Sequence, residues 1–285
     1  MPTADPSRQR ELLSLSPHGF HRVAYREWGD AGNRDVVVCV HGLARNARDF
    51  DFLAQRLVPR FRVLAVDMPG RGDSEWLVDP ADYTFPTYLA TLAALIARAD
   101  AQRVAFVGTS MGGLLGIVLA AQRETPLARL VVNDVGPFLE PAALARIAGY
   151  VGQEPSFATY ADIAAHIRQV SAPFGDLGDA GWEHVTRSNV RQHADARWYL
   201  AYDPGIAVPF RDAAAPPDLW PLWDAIRCPT LVLRGAKSDL LSRATADAMS
   251  SRGPRPHVHE FADVGHAPML IDPAQIEVVA RFLER

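Results

Sequence analysis

The sequence predicts an α/β fold: a mostly parallel, doubly wound sheet carrying a helical insertion. Three observations predict it. Short runs rich in β-branched residues alternate with Leu- and Ala-rich stretches of helical spacing, the order that builds a parallel sheet with right-handed crossovers. Several of those runs are apolar almost throughout, as strands covered on both faces must be. From about Phe138 to Asp224 the alternation stops, leaving helical stretches and scattered aromatics but no convincing strand, and it resumes at Pro229.

Taken in order, residues 1–11 are polar, with Arg8 and Arg10 but no apolar run behind them, so no signal peptide or membrane span is expected and the cytoplasm is the default address. Residues 20–28 alternate apolar and polar positions and should be an antiparallel strand, ended by Gly29-Asp30-Ala31-Gly32. The run 36–40 is a buried strand ending in His41-Gly42-Leu43; 46–57 reads as a helix closed by Pro59. A strand over 61–66 leads into the turn Asp67-Met68-Pro69-Gly70-Arg71-Gly72-Asp73-Ser74, and 84–99 is helical. Strand 104–107, helix 110–122 and strand 130–134 follow. Beyond the insertion come a strand over 229–234, a helix near 243–251, a strand near 257–261, the loop 263–268 and a last helix over 273–283. The predicted organisation is a core built from 1–136 and 226–285, with a helical cap over 137–225.

The insertion holds Tyr150, Phe157, Tyr160, Phe174, Trp182, Trp198, Tyr199, Tyr202, Phe210, Trp220 and Trp223. Most of these should pack its own core, with a minority lining a pocket. Across 285 residues, 48% are hydrophobic, 22% are charged and the net charge is -4 without long runs of one sign; nothing points to nucleic acid or an anionic membrane. Cys39 and Cys228 read as buried free thiols, not a disulfide framework.

The chemistry concentrates at Gly108-Thr109-Ser110-Met111-Gly112-Gly113, a Gly-x-Ser-x-Gly pattern between a strand and a helix. So sharp a turn strains the residue at its apex, and side chains two positions to either side would collide, hence Gly108 and Gly112. Ser110 is thereby raised at the carboxyl edge of the sheet, at a helix N-terminus that favours negative charge. No glycine pattern for a dinucleotide or a phosphate is present. A serine hydroxyl needs a base, and the base needs an orienting acid. His266 follows the last strand, and Asp239 lies five residues beyond Arg234; with Ser110 they give the chain order Ser, Asp, His. Asp134 is the rival acid, since it too ends a strand beside the serine, although shaping the entrance to the insertion suits it better. The N–H groups of Leu43 and Met111 are the candidate oxyanion donors, and His41 shapes the loop that presents the first of them. His257 and His259 could share a strand face, but no third ligand accompanies them, so no metal is expected.

These residues resemble the α/β-hydrolase superfamily over nearly the whole chain. His41-Gly42 is similar to its oxyanion motif, the turn 67–74 to its Asp-x-x-Gly-x-Gly-x-Ser turn, and 108–113 to its nucleophile elbow; the insertion falls where the family places a cap. The resemblance implies a serine hydrolase of carboxylesterase type, with Ser110 as nucleophile, His266 as base and Asp239 as acid, requiring no cofactor. It implies a small-molecule ester as substrate and a monomer or homodimer as the working form. Haloalkane dehalogenases and epoxide hydrolases carry an aspartate nucleophile, which Ser110 argues against. Carbon–carbon hydrolysis of meta-cleavage products, whose Ser-Met-Gly-Gly elbow looks similar, is the alternative, with lactone, thioester and perhydrolysis chemistry as neighbours. A ligand receptor that keeps the fold is a further one.

Overall fold

The computed structural model describes residues 7–101, 103–209 and 218–285. Its sheet has eight strands in the order β1-β2-β4-β3-β5-β6-β9-β10. The first five are β1 (Arg8–Ser16), β2 (Gly19–Trp28), β3 (Val36–Val40), β4 (Arg62–Val66) and β5 (Val104–Thr109). After them come β6 (Leu127–Asn133), the small strands β7 (Val190–Gln192) and β8 (Trp198–Leu200), β9 (Thr230–Gly235) and β10 (His257–Phe261). Strands β3 to β6, β9 and β10 run parallel, and β1 and β2 form an antiparallel hairpin at one edge. The mostly parallel, doubly wound architecture expected from the alternation is therefore the observed one.

Period-two side chains explain why the central strands look apolar throughout. Val36, Val38 and Val40 join a core with Leu64, Val66, Phe106 and Val132, while Val37 and Cys39 face the opposite core with Val63, Ala65, Val107 and Leu231. Helices α2 (Phe85–Arg98) and α3 (Met111–Ala120) cover the first face; α1 (Asp51–Leu57) and the final helix Pro273–Glu284 cover the second. Each fully buried Val contributes about 1.5–3 kcal/mol, so the sheet is a rigid platform for what its carboxyl edge carries.

The structure adds three elements to the sequence reading. β1 occupies residues left unassigned or read as polar, because most of its side chains stay exposed and only Ser14 and Ser16 are buried. Helix 46–57 begins as a 3-10 turn over Ala47–Phe50, capped by the Asn46 side chain, before α1. The insertion is not purely helical. Besides α4 (Pro141–Ala148), α5 (Tyr160–Val170) and α6 (Gly178–Ser188), it holds the β7–β8 hairpin, whose three-residue strands are too short to leave a periodic signal. Helix Trp220–Ala225 leads back to β9.

Phe157, Tyr160, Phe174, Trp182 and Trp198 pack around Ile163, Ile167 and Val185, together with Met269 from the loop that holds His266. Trp223 instead packs fully buried in the core on the α3 side of the sheet. Phe210 lies outside the described residues. Both cysteines are free and buried. Among the described residues, no helix is long and apolar enough to cross a membrane.

Candidate active site

Val40, Gly108 and Val132 are aligned on neighbouring strands, so the segments that follow β3, β5 and β6 leave the sheet side by side at one edge. Ser110 stands at the turn between β5 and α3 with φ 52° and ψ -115°, a strained conformation for a residue with a side chain. The glycines around it are required by packing. A Cβ on Gly108 would stand 2.2 Å from the Gly112 carbonyl oxygen, and one on Gly112 would stand 2.1 Å from that of Val40. Ser110 donates its N–H to the Asn133 carbonyl (2.9 Å), which ties the turn to β6.

His266 Nε2 lies 2.9 Å from Ser110 Oγ, and its Nδ1 lies 2.8 Å from Asp134 Oδ2. Serine and histidine, 156 positions apart in the chain, are thus brought within hydrogen-bond distance. The carboxylate that meets His266 is Asp134 and not Asp239, the acid expected from the sequence. Asp134 is fully buried one residue past β6, with φ 56°; the Gly235 N–H donates to its Oδ1 (2.8 Å) and the Ser238 hydroxyl to its Oδ2 (2.6 Å). Asp239 points elsewhere. Its carboxylate accepts two hydrogen bonds from Arg146 on α4, at 2.6 and 2.9 Å. Burial raises the Asp239 pKa, but the Arg146 hydrogen bonds and charge outweigh it and the net shift is downward. This placement has a geometric cause: β6 lies between β5 and β9, so the residue after β6 is adjacent to the serine turn, whereas Asp239 follows a strand one place farther away.

Leu43 and Met111 flank the serine. Gly42 packs so closely that a Cβ there would lie 3.6 Å from the Ser110 Cβ, and Met111 opens α3, where first-turn N–H groups have no acceptor within the helix. His41 Nδ1 donates to the Gly42 carbonyl (2.7 Å), and its Nε2 accepts the Met68 N–H (2.9 Å). Desolvation drives the His41 pKa down to about 3, against a partly opposing hydrogen bond to Gly42, so the imidazole is neutral.

Two supports escaped the sequence reading. Asn133 donates to Thr109 Oγ1 (3.0 Å) and to the Pro268 carbonyl (2.8 Å), fastening the His266 loop to β6. Arg71 is wholly buried; it donates to the carbonyls of Leu43 (2.8 Å) and Pro69 (2.7 Å) and to the Tyr88 hydroxyl (2.7 Å), and it lies against the Met111 sulfur. The only sequence signal was its place in the turn 67–74.

Ser110 borders two cavities. One, of about 540 Å³, is lined by Met111, Leu114, Val135, Leu139, Leu144 and other apolar side chains, with Tyr83, Thr84 and Tyr88 as its polar exceptions. The other, of about 140 Å³, contains His266 together with Arg45, Asp49, Arg146, Tyr150, Gln153, His166 and Asn189. Of the insertion's aromatics, Tyr150, Phe174 and Tyr202 reach this smaller cavity. Among the described residues no group of three or more His, Cys, Asp or Glu is arranged to hold a metal ion.

The chain is similar to known proteins over almost its whole length. A model of the alpha/beta hydrolase family matches residues 37–281. The chain is 44% identical over 277 residues to a 3-hydroxybutyrate-oligomer hydrolase of Cupriavidus necator, covering 94% of each chain. It is 29% identical over 276 residues to an esterase of Mycobacterium tuberculosis, covering 90% of this chain and 85% of the relative. The crystal structure of an alpha/beta hydrolase from Novosphingobium aromaticivorans superposes with a TM-score of 0.89 at 39% identity, covering 99% of both chains.

Proposed function

The chain belongs to the alpha/beta hydrolase family, and on that premise we propose that it is a serine hydrolase of carboxylic esters, acting on short oligomers of 3-hydroxybutyrate or closely related hydroxy acids. The observation that carries the chemistry is the continuous line from Ser110 Oγ through His266 to Asp134, with links of 2.9 and 2.8 Å. The substrate class is supported by the 44% identity to the oligomer hydrolase and by a cavity large enough for an aliphatic chain beside the serine.

In this reading His266 Nε2 takes the Ser110 proton as Oγ attacks the ester carbonyl. Asp134 holds Nδ1–H, which fixes the tautomer and stabilises the imidazolium. The N–H groups of Leu43 and Met111 receive the oxyanion, each worth on the order of 3 kcal/mol in such sites. His266 then passes the proton to the leaving alkoxide as the carbon–oxygen bond breaks. Water, deprotonated by the same imidazole, releases the acid from Ser110.

The test is turnover of a graded panel of p-nitrophenyl esters and of 3-hydroxybutyrate dimer and trimer. Ser110→Ala is expected to lower kcat on all of them by about a millionfold. Ester turnover surviving that change removes the serine mechanism; fast cleavage of a carbon–carbon bond in a dienoate, without ester turnover, removes the ester reading.

A further inference from the structure

The two cavities meeting at Ser110 differ in size, polarity and access to the base, and together they give the bound ester a direction. His266 borders the small cavity and not the large one. The group that protonates the leaving oxygen must reach it, so the alcohol half of the ester lies on the small-cavity side and the acyl half on the other. Among the described residues the large cavity is lined by no Asp, Glu, Lys, Arg or His, whereas the small one presents Arg45 and Arg146 along with Asp49 and His166. In a hydroxy-acid oligomer the alcohol half is the half that ends in the free carboxylate.

Arg45 lines the small cavity in a fixed pose. Its guanidinium is held by Asp49 through Nε (2.9 Å) and Nη2 (2.5 Å) and lies over the Phe174 ring at 5.5 Å. Only 15% of the side chain is exposed. Five N–H groups serve a guanidinium and the Asp49 pair uses two, so Nη1 keeps its donors; among the described residues none of its neighbours accepts from it. Tyr150 lines the same cavity as Arg45 and Arg146, and both charges act on its phenol. Asp49 and Asp239 each engage Nε and Nη2 of their arginine, and Asp49 itself lines the cavity, so the donors left to a ligand are those of Arg45 Nη1.

Size sets the length of the leaving piece. A cavity of about 150 Å³ holds a guest the size of benzene, so 140 Å³ holds a single hydroxybutyrate unit, while 540 Å³ accommodates several.

Resting on the ester-hydrolase reading above, we propose that Arg45, flanked by Tyr150 and Arg146, is a carboxylate-binding subsite for the leaving hydroxy acid, so that oligomers are cleaved at the ester bond nearest their free carboxyl end and lose one unit per turnover. The test uses a 3-hydroxybutyrate trimer capped as a methyl ether on its terminal hydroxyl, offered as the free acid and as the primary amide. The expected first products are the capped dimer and free 3-hydroxybutyrate, with kcat/KM about 10–100-fold higher for the acid than for the amide. In Arg45→Gln that ratio falls toward unity, and Arg45→Lys restores part of it; a ratio within one preparation is independent of how much of a variant folds. First products of capped monomer and free dimer, or an acid-to-amide ratio unchanged in Arg45→Gln, overturn the subsite while p-nitrophenyl butyrate turnover leaves the hydrolase reading standing. Failure to cleave any ester, p-nitrophenyl butyrate included, overturns both.

Discussion

The end of β6 and the loop after β9 each offer one carboxylate to the same edge of the sheet, and the two end in opposite surroundings. Asp134 is fully buried, is held by the Gly235 N–H and the Ser238 hydroxyl, and meets His266. Asp239 has 45% of its side chain exposed and is clasped by Arg146. Chain order treats them as equals, since each follows a strand and precedes His266. The difference teaches that, in this fold, strand adjacency and the donors that aim a side chain decide which carboxylate meets His266. Proximity in sequence to the histidine does not choose it.

The sharpest way to break this contrast is to remove each carboxylate in turn. Asp134→Asn is expected to cut kcat on p-nitrophenyl butyrate by about 10⁴-fold, because the amide presents the wrong hydrogen-bonding face to Nδ1–H. Asp239→Asn is expected to cost less than about tenfold, the relay being intact. Equal losses in steady-state assays would erase the distinction.

His41 extends the lesson from acids to a base, because its surroundings also fix its protonation. Unfolded, the imidazole titrates near 6.5; folded, at about 3. Between those values the unfolded chain holds the extra proton, so this contribution is complete above pH 6.5 and drains as pH falls toward 3. At pH 5 the loss is about 2 kcal/mol. Denaturant titrations at pH 7 and pH 5 should show that share missing from the pH dependence of His41→Gln; an identical dependence in both proteins contradicts it.

Smaller effects probe the supports. Ser238→Ala removes one donor from Asp134 and is expected to raise the barrier by about 1.5 kcal/mol, roughly tenfold in kcat, with KM little changed. Arg146→Met breaks the partly exposed pair with Asp239 and should lower stability by less than about 1 kcal/mol, an effect that fades with added salt. A loss of several kcal/mol in thermal unfolding would mean that this pair holds α4 to the core far more firmly than an exposed ion pair does.

Much of the molecule could be read before any coordinates. The parallel strands announced themselves as apolar runs because both faces are covered, and the elbow because a strained turn demands glycines at fixed offsets. His266 was legible from its place after the last strand. Asp134 was not, because choosing it over Asp239 needs the lateral order β5-β6-β9, which sequence order does not supply. β1 was missed because an edge strand with mostly exposed side chains need not look apolar, and β7–β8 because three residues cannot display a period. The partners of Arg71 were invisible for another reason: two are main-chain carbonyls, which no side-chain pattern encodes.

That arginine bears on timing. Dry, and with carbonyl and phenol dipoles as its hydrogen-bond acceptors, Arg71 grips the Leu43 carbonyl and lies against Met111, the two residues proposed to cradle the oxyanion. The work of orienting those peptides against solvent is done when the polypeptide first folds, once in the life of each molecule. Every later turnover inherits an electrostatic mould already set, and no share of the activation barrier is spent on casting it again.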